Sequence, residues 1–320
     1  MTLRRRTALA APLLAPLAAR AEAPWPSQPI KIVVPYPPGA MTDALGRMVG
    51  ERLQTAFGQP VIADNKPGAA TQVGASFVAK QPADGYTLLL ATVSTLCITP
   101  ALYAKPLIRA ADFAPVAFLG NVLLILVCRP NLPASTPQEL MALLKAKPDG
   151  YTYGSPGTGT VHHLLVELLR NKEHFSATHV PYVGSTKAMV DLMEGRFDFM
   201  FLDATVALEQ VRAGKLKALA VTGSKRASVL PEVPALIETF PGFDHQPWMS
   251  VVGPRGLPTA LAERLNDATN RSLADPAFAS RLRDIGVDAA PLTLAAFGDF
   301  IAREIGRWAE LVRISGAKAE

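Results

Sequence analysis

Short apolar, β-branched runs alternate along the chain with segments of helical periodicity, and this alternation constrains the fold most. The run Ile30–Tyr36 ends at two prolines and a glycine, and apolar residues then recur at helical spacing from Leu45 to Phe57. The same order restarts at Tyr151–Ser155, which precedes a helical pattern of leucines at 164, 165, 168 and 169. Such alternation is typical of βαβ units. The sequence therefore predicts two α/β lobes, each with a mostly parallel sheet.

The same patterns predict the remaining elements. Further strands are expected at Val61–Ala63, Tyr86–Thr92, Leu123–Cys128, near Val180, and at Phe197–Leu202, Leu216–Thr222 and Trp248–Val252. Further helices are expected at Thr136–Lys147, Thr186–Met193, Ala204–Ala213, Thr259–Leu273, Pro276–Ile285 and Thr293–Val312. The chain is expected to enter the second lobe near Val122 and to leave it near Trp248. Residues 22–122 and 249–320 then form lobe 1 and residues 123–248 form lobe 2.

The N-terminal segment has the pattern of an export signal. Arg4–Arg6 precede an apolar stretch, and Ala19–Ala21 offers a small-x-small cleavage site. We expect residues 1–21 to be a signal peptide of the Sec or twin-arginine type that is cleaved after Ala21. A membrane anchor is disfavoured, because the apolar stretch contains Pro12 and Pro16 and is shorter than the ~20 residues that span a bilayer. The sequence therefore predicts a soluble protein exported to the periplasm.

The basic charge of the chain is concentrated in this segment. The isoelectric point is 9.2 and the net charge is +5. Residues 1–21 carry four of the 32 basic residues and no acidic residue, so 28 basic and 27 acidic residues remain in the rest. A near-neutral body lacks the basic surface that binds a phosphate backbone. We therefore expect no nucleic-acid partner.

Two cysteines remain in the exported chain. Cys97 and Cys128 both lie in apolar stretches. An oxidising compartment permits a disulfide between them, and two buried free thiols are the alternative. No Cys-x-x-Cys pair is present, which excludes zinc-ribbon and thioredoxin motifs.

Two glycine-containing turns are expected to face each other between the lobes. Tyr36–Asp43 follows a strand of lobe 1, Ser155–His163 follows a strand of lobe 2, and each turn opens a helix. Ligands of open α/β sheets bind at the carboxyl ends of the strands. Helix N-termini offer free N–H groups and a partial positive charge, which bind carboxylates without Arg or Lys. A ligand with a carboxylate at each end would satisfy both turns.

Each of these residues also has a purely structural interpretation. The glycines are suited to turns, Asp43 complements its helix dipole, and Thr92 and Ser94 either bind a ligand or cap a turn. Tyr36 and Tyr182 end strands, where ordinary packing explains them equally well. Lys187 either lies at the surface or anchors an anion.

A hydrolase is the main enzymatic alternative. Ser155, His163 and Asp203 form a triad on paper, but no Gly-x-Ser-x-Gly elbow surrounds Ser155. The histidines at 162, 163, 174 and 179 match no standard zinc spacing, and His174 and His179 are interpreted as structural or surface residues. The turn after Ser155 is neither a P-loop nor a complete dinucleotide motif. We therefore expect no catalysis, no metal and no cofactor.

Ordered motifs over most of the chain carry a specific resemblance. They are Ile32–Gly39, Asp64–Ala69, Ala83–Leu89, Asp112–Val116, His179–Tyr182 with Gly184-Ser185, Leu219–Thr222, Leu230–Pro234 and Trp248. From Gln28 nearly to the C-terminus, the chain resembles the periplasmic solute receptors of tripartite tricarboxylate transporters, the TctC or Bug family. The resemblance implies a two-lobed periplasmic binding protein of type II, a Venus flytrap with its ligand cleft between the lobes. It also implies a small organic carboxylate as ligand and membrane permease subunits as partners.

The resemblance also assigns ligand contacts to positions of this chain. In lobe 1 they are Tyr36, Gly39, Ala40, Met41, Thr42, Asp43, Thr92 and Ser94. In lobe 2 they are Ser155, Gly157, Thr158, Gly159, Thr160, His163, Tyr182 and Asp203, and Lys187 is a weaker candidate. We expect a monomer that feeds a permease, and a receptor that informs a sensor kinase is the alternative.

This chain departs from the family pattern at several of these positions. Ala40 replaces a usual glycine, Tyr36 a common phenylalanine, Val183 a common basic residue and Lys187 a proline. The departures leave the expected fold and receptor role intact. They do not allow the substrate to be carried over.

Overall fold

The computed structural model describes residues 25–39 and 41–318. The predicted signal peptide, its cleavage site and Ala40 lie outside the described residues. The described chain forms two β-sheets with helices packed against them. This arrangement confirms the predicted two-lobed α/β fold.

The sheet of lobe 1 takes strands from both ends of the chain. Its strands are β1 (Ile30–Val34), β2 (Val61–Asn65), β3 (Thr87–Thr92), β4 (Phe113–Val122), β10 (Trp248–Pro254) and β11 (Val287–Ala289). Across the sheet they are ordered β11-β4-β10-β3-β1-β2. The accompanying helices are α1 (Met41–Phe57), α2 (Gln72–Ala79), α3 (Thr99–Leu102), α9 (Thr259–Leu273), α10 (Pro276–Asp284) and α11 (Leu294–Ser315).

The sheet of lobe 2 is contributed by the middle of the chain. Its strands are β5 (Leu124–Cys128), β6 (Thr152–Ser155), β7 (Thr178–Pro181), β8 (Phe199–Asp203) and β9 (Lys217–Val221), ordered β7-β6-β8-β5-β9. The accompanying helices are α4 (Pro137–Ala146), α5 (Val161–Glu173), α6 (Ser185–Met193), α7 (Ala204–Arg212) and α8 (Leu236–Thr239).

Local sequence explains where these helices begin and end. Leu45, Val49 and Leu53 follow one another at intervals of four residues and are buried against the sheet, as the periodicity of α1 predicts. Gly58 follows this helix with a φ of +69°, which suits a helix C-cap. At the start of α4, the Thr136 hydroxyl accepts the Glu139 N–H at 3.1 Å, so Thr136 is the N-cap of this helix.

The prediction of mostly parallel sheets is wrong. Of the nine strand pairings in the described chain, four are parallel and five antiparallel. The cause is the passage of the chain between the lobes. A strand that starts at the hinge runs away from it, whereas the strands of βα units end there. Therefore β10 lies antiparallel to β3, and β5 lies antiparallel to β8.

The carboxyl ends of the parallel strands in both sheets face the same gap. β4 has the same direction as β1 and β3, because both β3 and β4 pair antiparallel with β10. β4 continues through Leu123 into β5, and β5 starts at the edge where β8 and β6 end. The turns that follow β1, β3, β6 and β8 consequently lie in the cleft between the lobes.

Helix α11 braces the hinge from lobe 1. Glu304 on this helix is buried, and its Oε2 accepts the indole N–H groups of Trp248 at 3.1 Å and Trp308 at 2.7 Å. Arg307 donates to the other oxygen at 2.9 Å. Trp248 is the first residue of β10, and α11 also packs against α5 of lobe 2. The start of the returning strand is thereby fixed to a helix that contacts both lobes.

The two cysteines are buried free thiols, which decides between the two alternatives left by the sequence. Burial raises the pKa of the Cys97 thiol, and it raises the pKa of Cys128 to about 11. None of the helices in the described ranges has the length and hydrophobicity of a bilayer-spanning segment.

Candidate functional site

The turn after β1 is held by a carboxylate at the start of α1. Asp43 is 5% exposed. Its Oδ2 accepts the Gly39 N–H at 3.0 Å and the Arg47 Nε–H at 3.2 Å. The hydrogen bond from the Gly39 backbone, supported by Arg47 and Asn65, outweighs burial and holds the pKa of Asp43 below its ordinary value. Asp43 therefore stays ionised and fixes the turn.

Sequence reasoning missed Asn65, the last residue of β2. Its amide donates to the Tyr36 carbonyl at 3.2 Å and to Asp43 Oδ1 at 3.0 Å. β2 pairs with β1 in parallel, with Asn65 opposite Val34. The position of an amide side chain at the carboxyl end of a neighbouring strand was the signal that could have identified it.

A chain of hydroxyl groups lies beside this turn, at the end of β3. Tyr36 Oη is 2.9 Å from Thr92 Oγ1, which is 3.2 Å from Thr95 Oγ1. Burial raises the pKa of Tyr36, although hydrogen bonds with Thr92, Thr95 and Ser94 act in the opposite direction. Ser94 opens a π-helical turn, Ser94–Ile98, a conformation often found at functional sites. The structure thus brings Tyr36, Thr92 and Ser94 together, and Thr95 joins them.

The segment after β2 reaches the same edge of the sheet in an unusual conformation. Ala69, Ala70 and Thr71 have positive φ angles of 44°, 49° and 81°. Non-glycine residues rarely adopt such angles, which cost of order 1–3 kcal/mol each. Thr99 Oγ1 donates to the Ala70 carbonyl at 3.1 Å and helps to hold the segment. Ala69 ends the sequence motif Asp64–Ala69, whereas Ala70 and Thr71 lie outside the motifs.

The turn after β6 uses many of its own polar groups. Gly157 N–H donates to Ser155 Oγ at 3.2 Å, Gly159 N–H to His163 Nδ1 at 3.1 Å, and Thr160 Oγ1 to the Gly157 carbonyl at 2.7 Å. A β-carbon on Gly159, whose φ is +76°, would lie 2.6 Å from Leu102 of lobe 1. The glycine therefore permits close contact between the lobes.

The proposed pairing of Ser155 with His163 is wrong. Ser155 Oγ lies 2.7 Å from His179 Nε2, whereas His163 Nδ1 is occupied by Gly159. His179 is half-buried, and its structural role is to orient Ser155. The parallel pairing of β6 and β7 places His179 opposite Tyr153, and Ser155 follows two residues later on the same face.

The two histidines belong to a buried stack of rings. The ring centroids of His163 and His179 are 4.1 Å apart, and those of Tyr153 and His179 are 4.8 Å apart. Tyr153 donates its hydroxyl proton to Glu167, which pairs with Arg170 at 2.7 Å. Burial, together with neighbouring positive charge, lowers the pKa of His163 to about 3 and that of His179 to about 4. Both rings are neutral at pH 7.

Asp203, the last residue of β8, adds a carboxylate to the cleft side of lobe 2. Asp203 Oδ2 accepts the Ser185 hydroxyl at 3.0 Å and lies 3.3 Å from His162 Nε2. Burial alone would raise the pKa of Asp203, but His162 and the hydrogen bond from Ser185 hold it below its ordinary value. Asp203 therefore keeps its negative charge at the cleft, and its side chain is 26% exposed.

The remaining candidates occupy the edges of the two turns. Met41 and Thr42 begin α1, Thr158 is exposed within the turn of lobe 2, and Tyr182 directly follows β7. Tyr182 N–H donates to the Ser155 carbonyl at 2.9 Å, so its loop is attached to the turn. Lys187 is exposed on α6.

A cavity of about 580 Å³ lies at the junction of the lobes. Its lining includes Asn121 and Asp288 from the lobe 1 sheet, and Thr205, Thr222 and Lys225 from lobe 2. None of the predicted site residues lines it. The cavity is therefore a separate feature of the hinge.

Comparison with known proteins agrees with this architecture. The model of the tripartite tricarboxylate transporter family receptor, TctC, matches residues 45–316. Protein BugT of Bordetella pertussis is 36% identical over 300 residues, which cover 92% of this chain and 91% of BugT. The fold, cleft and matches define a solute receptor of the periplasmic binding protein class. Within that class, the chain belongs to the TctC family.

Solved structures of similar proteins have the same fold. Rpa4515 of R. palustris, solved with adipate, aligns with a TM-score of 0.80 at 31% identity, over 92% of this chain and 99% of that chain. MatC of Rhodopseudomonas palustris, solved with bound malate, aligns with a TM-score of 0.74 at 29% identity, over 90% and 100% of the two chains.

Proposed function

We propose that the protein captures a small organic carboxylate between its lobes and delivers it to the membrane subunits of a tripartite tricarboxylate transporter. Candidate ligands are di- and tricarboxylates, aromatic acids and amino acids. The ligand is held by the residues that the resemblance assigns to the two turns. Closure of the lobes around the acid makes the receptor competent to dock.

The observation that carries this proposal is a set of buried, unpaired polar groups at two helix starts. Thr42 Oγ1 on α1 and His162 Nδ1 on α5 are buried without a hydrogen-bond partner among the described residues. The first N–H groups of each helix have no acceptor within that helix and point towards its N-terminus. A buried hydroxyl without a partner is costly, and a bound carboxylate would accept hydrogen bonds from Thr42 Oγ1 and from the free N–H groups at the two helix starts.

The similar structures support an acid as ligand, since Rpa4515 was solved with adipate and MatC with malate. The negative charge of Asp203 restricts which ligand groups can lie beside it. A second carboxylate beside it would be repelled, whereas a hydroxyl or ammonium group would donate to it. We therefore expect acids that carry such a donor to bind better than unsubstituted acids of equal length.

A thermal-shift screen of the mature chain tests the proposal. The protein is refolded first, which removes any ligand retained during purification. The panel contains mono-, di- and tricarboxylates, aromatic acids, amino acids and the corresponding neutral amides. An acid that binds the folded state raises the melting temperature with increasing concentration, and its amide does not. The absence of a shift with every acid would contradict the proposal.

Delivery to a transporter is tested separately. Uptake of the labelled acid by cells should require both this receptor and a tripartite permease. Uptake that is unchanged without the receptor, combined with acid-dependent signalling, would favour input to a sensor kinase. We also propose export with cleavage after Ala21, so N-terminal sequencing of the periplasmic protein should begin at Glu22. Catalysis is not proposed, because the chain belongs to a family of solute receptors and Ser155 contacts His179 and not His163.

A further inference from the structure

The hydroxyl groups of Tyr36, Thr92 and Thr95 form a hydrogen-bonded chain in lobe 1. Thr92 is 3% exposed and Thr95 is 0% exposed, whereas Tyr36 is half-buried at the cleft. Besides the two contacts between hydroxyl groups, Thr92 Oγ1 accepts the Thr95 N–H at 3.2 Å. Thr95 Oγ1 accepts the Thr92 N–H at 3.4 Å. Each hydroxyl has one proton and two lone pairs, so the direction of the chain can be worked out.

The chain has two possible directions. If Tyr36 donates to Thr92, then Thr92 donates to Thr95, and the Thr95 proton has no acceptor within the described residues. If Thr95 donates to Thr92, then Thr92 donates to Tyr36, and every buried proton has an acceptor. The second direction is favoured, because an unpaired donor at a fully buried residue is costly. In this direction neither Thr92 nor Thr95 accepts the Tyr36 O–H, which can donate to Ser94 beside it or to a ligand in the cleft.

We propose that Thr95 and Thr92 fix the Tyr36 hydroxyl as a hydrogen-bond donor to the ligand. The inference rests on the proposed function. The ligand must then place an oxygen without a proton, from a carboxylate or carbonyl group, against Tyr36. An ammonium group has no lone pair to accept this proton, so the amine of an amino acid must lie elsewhere in the cleft. Tyr36 selects and orients the ligand, and Thr92 and Thr95 are positioning residues.

Binding by matched variants tests the inference. Tyr36→Phe keeps the ring and removes the donor, and Thr95→Val keeps the volume and removes the group that sets the direction. Affinity is measured by calorimetry with adipate, malate and the acid that gives the largest shift in the screen. Tyr36→Phe should weaken binding by roughly 10- to 100-fold, the loss expected for a hydrogen bond to a charged acceptor. Tyr86→Phe is the control, because Tyr86 Oη contacts Ser27 near the opposite end of β3.

A double-mutant cycle separates positioning from general destabilisation. Thr95→Val should weaken binding by about 2- to 10-fold in the wild-type background and have no effect in the Tyr36→Phe background. Equal affinity of Tyr36→Phe and wild type would overturn the inference while leaving the proposed function intact. An equal effect of Thr95→Val in both backgrounds would also overturn it. Melting temperatures of all variants establish that they are folded.

Neutron diffraction from deuterated, ligand-free crystals tests the direction without any ligand. A deuteron on Thr95 Oγ1 that points to Thr92 supports the inference. A deuteron on Thr92 Oγ1 that points to Thr95 overturns it, even if acids bind tightly. If no acid binds the wild type, the proposed function fails, and the neutron map still decides whether Tyr36 is presented as a donor.

Discussion

The buried histidine stack should make the protein unstable in mild acid. His163 has a pKa of about 3 in the folded protein, compared with about 6.5 in an unfolded chain. Below pH 6.5 the unfolded state therefore binds a proton that the folded state does not, and the free energy of unfolding falls as the pH falls. The loss is about 1.36 kcal/mol per pH unit. It reaches about 2 kcal/mol for this residue at pH 5.

The substitution His163→Asn isolates this contribution. The asparagine carbonyl can still accept the Gly159 N–H, but the side chain does not titrate. We expect the variant to be less stable than wild type at pH 7, because it loses the stack with His179. The difference between its free energies of unfolding at pH 7 and pH 5 should nevertheless be smaller than that of wild type, by about 2 kcal/mol.

The measurement is urea unfolding followed by circular dichroism at pH 5 and pH 7, at one ionic strength and with equal m-values. His174→Asn is the control. His174 is exposed and has a φ of +54°, a conformation that asparagine tolerates. The change in the unfolding free energy of His174→Asn between pH 7 and pH 5 should match that of wild type. If His163→Asn loses as much stability between pH 7 and pH 5 as wild type does, the argument from burial is refuted.

Four further predictions concern the hinge, the sheet of lobe 1, helix α11 and the edge of the cleft. Glu304→Gln should lower the free energy of unfolding by about 1–3 kcal/mol. The carboxylate accepts hydrogen bonds from two indoles and from Arg307, and an amide has only one oxygen to accept them. Unchanged stability in urea would contradict the bracing role of Glu304. Gly120→Ala should cost at least about 1–3 kcal/mol, because the new β-carbon would lie 2.2 Å from the Asp288 carbonyl oxygen. Gly306→Ala in α11 adds a β-carbon that meets no atom within 4 Å, so the free energy of unfolding should rise by about 0.5–1 kcal/mol. A higher melting temperature for Gly120→Ala than for Gly306→Ala would refute both predictions. Lys187→Ala tests whether this exposed lysine anchors the ligand, in which case affinity for the screened acid falls by about tenfold or more; an unchanged affinity assigns it to the surface.

Periodicity predicted most of the elements but missed two strands, β4 and β11, and for β4 the reason can be identified. β4 contains Pro115 and Gly120, two residues that argue against a regular strand. In the structure, Pro115 lies beside a register shift between Val251 and Val252. Gly120 lies where the Asp288 carbonyl approaches the backbone. The same residues that allow β4 to pair irregularly with β10 and closely with β11 therefore concealed it in the sequence.

The side chains that hold the two turns come from neighbouring strands, and this explains what the sequence analysis of the site missed. β1 is flanked by β2 and β3, and β6 is flanked by β7 and β8. Asn65 and Thr92, at the ends of the strands beside β1, hold the turn of lobe 1. His179, on a strand beside β6, orients Ser155. These pairs are 24 to 56 residues apart in sequence, and strand order alone brings them together.

The same arrangement bears on how specificity changes within such a fold. A substitution in either turn alters a group that faces the ligand. The direction of the hydroxyl and imidazole hydrogen bonds depends on a residue that lies on a flanking strand or directly after it. Thr95 determines whether Tyr36 donates, and His179 determines how Ser155 Oγ shares its proton with the Gly157 carbonyl. A change of ligand class therefore requires compatible changes in the turn and in the supporting strand. Exchanging the turns alone between two receptors should transfer less specificity than exchanging them together with the ends of the flanking strands.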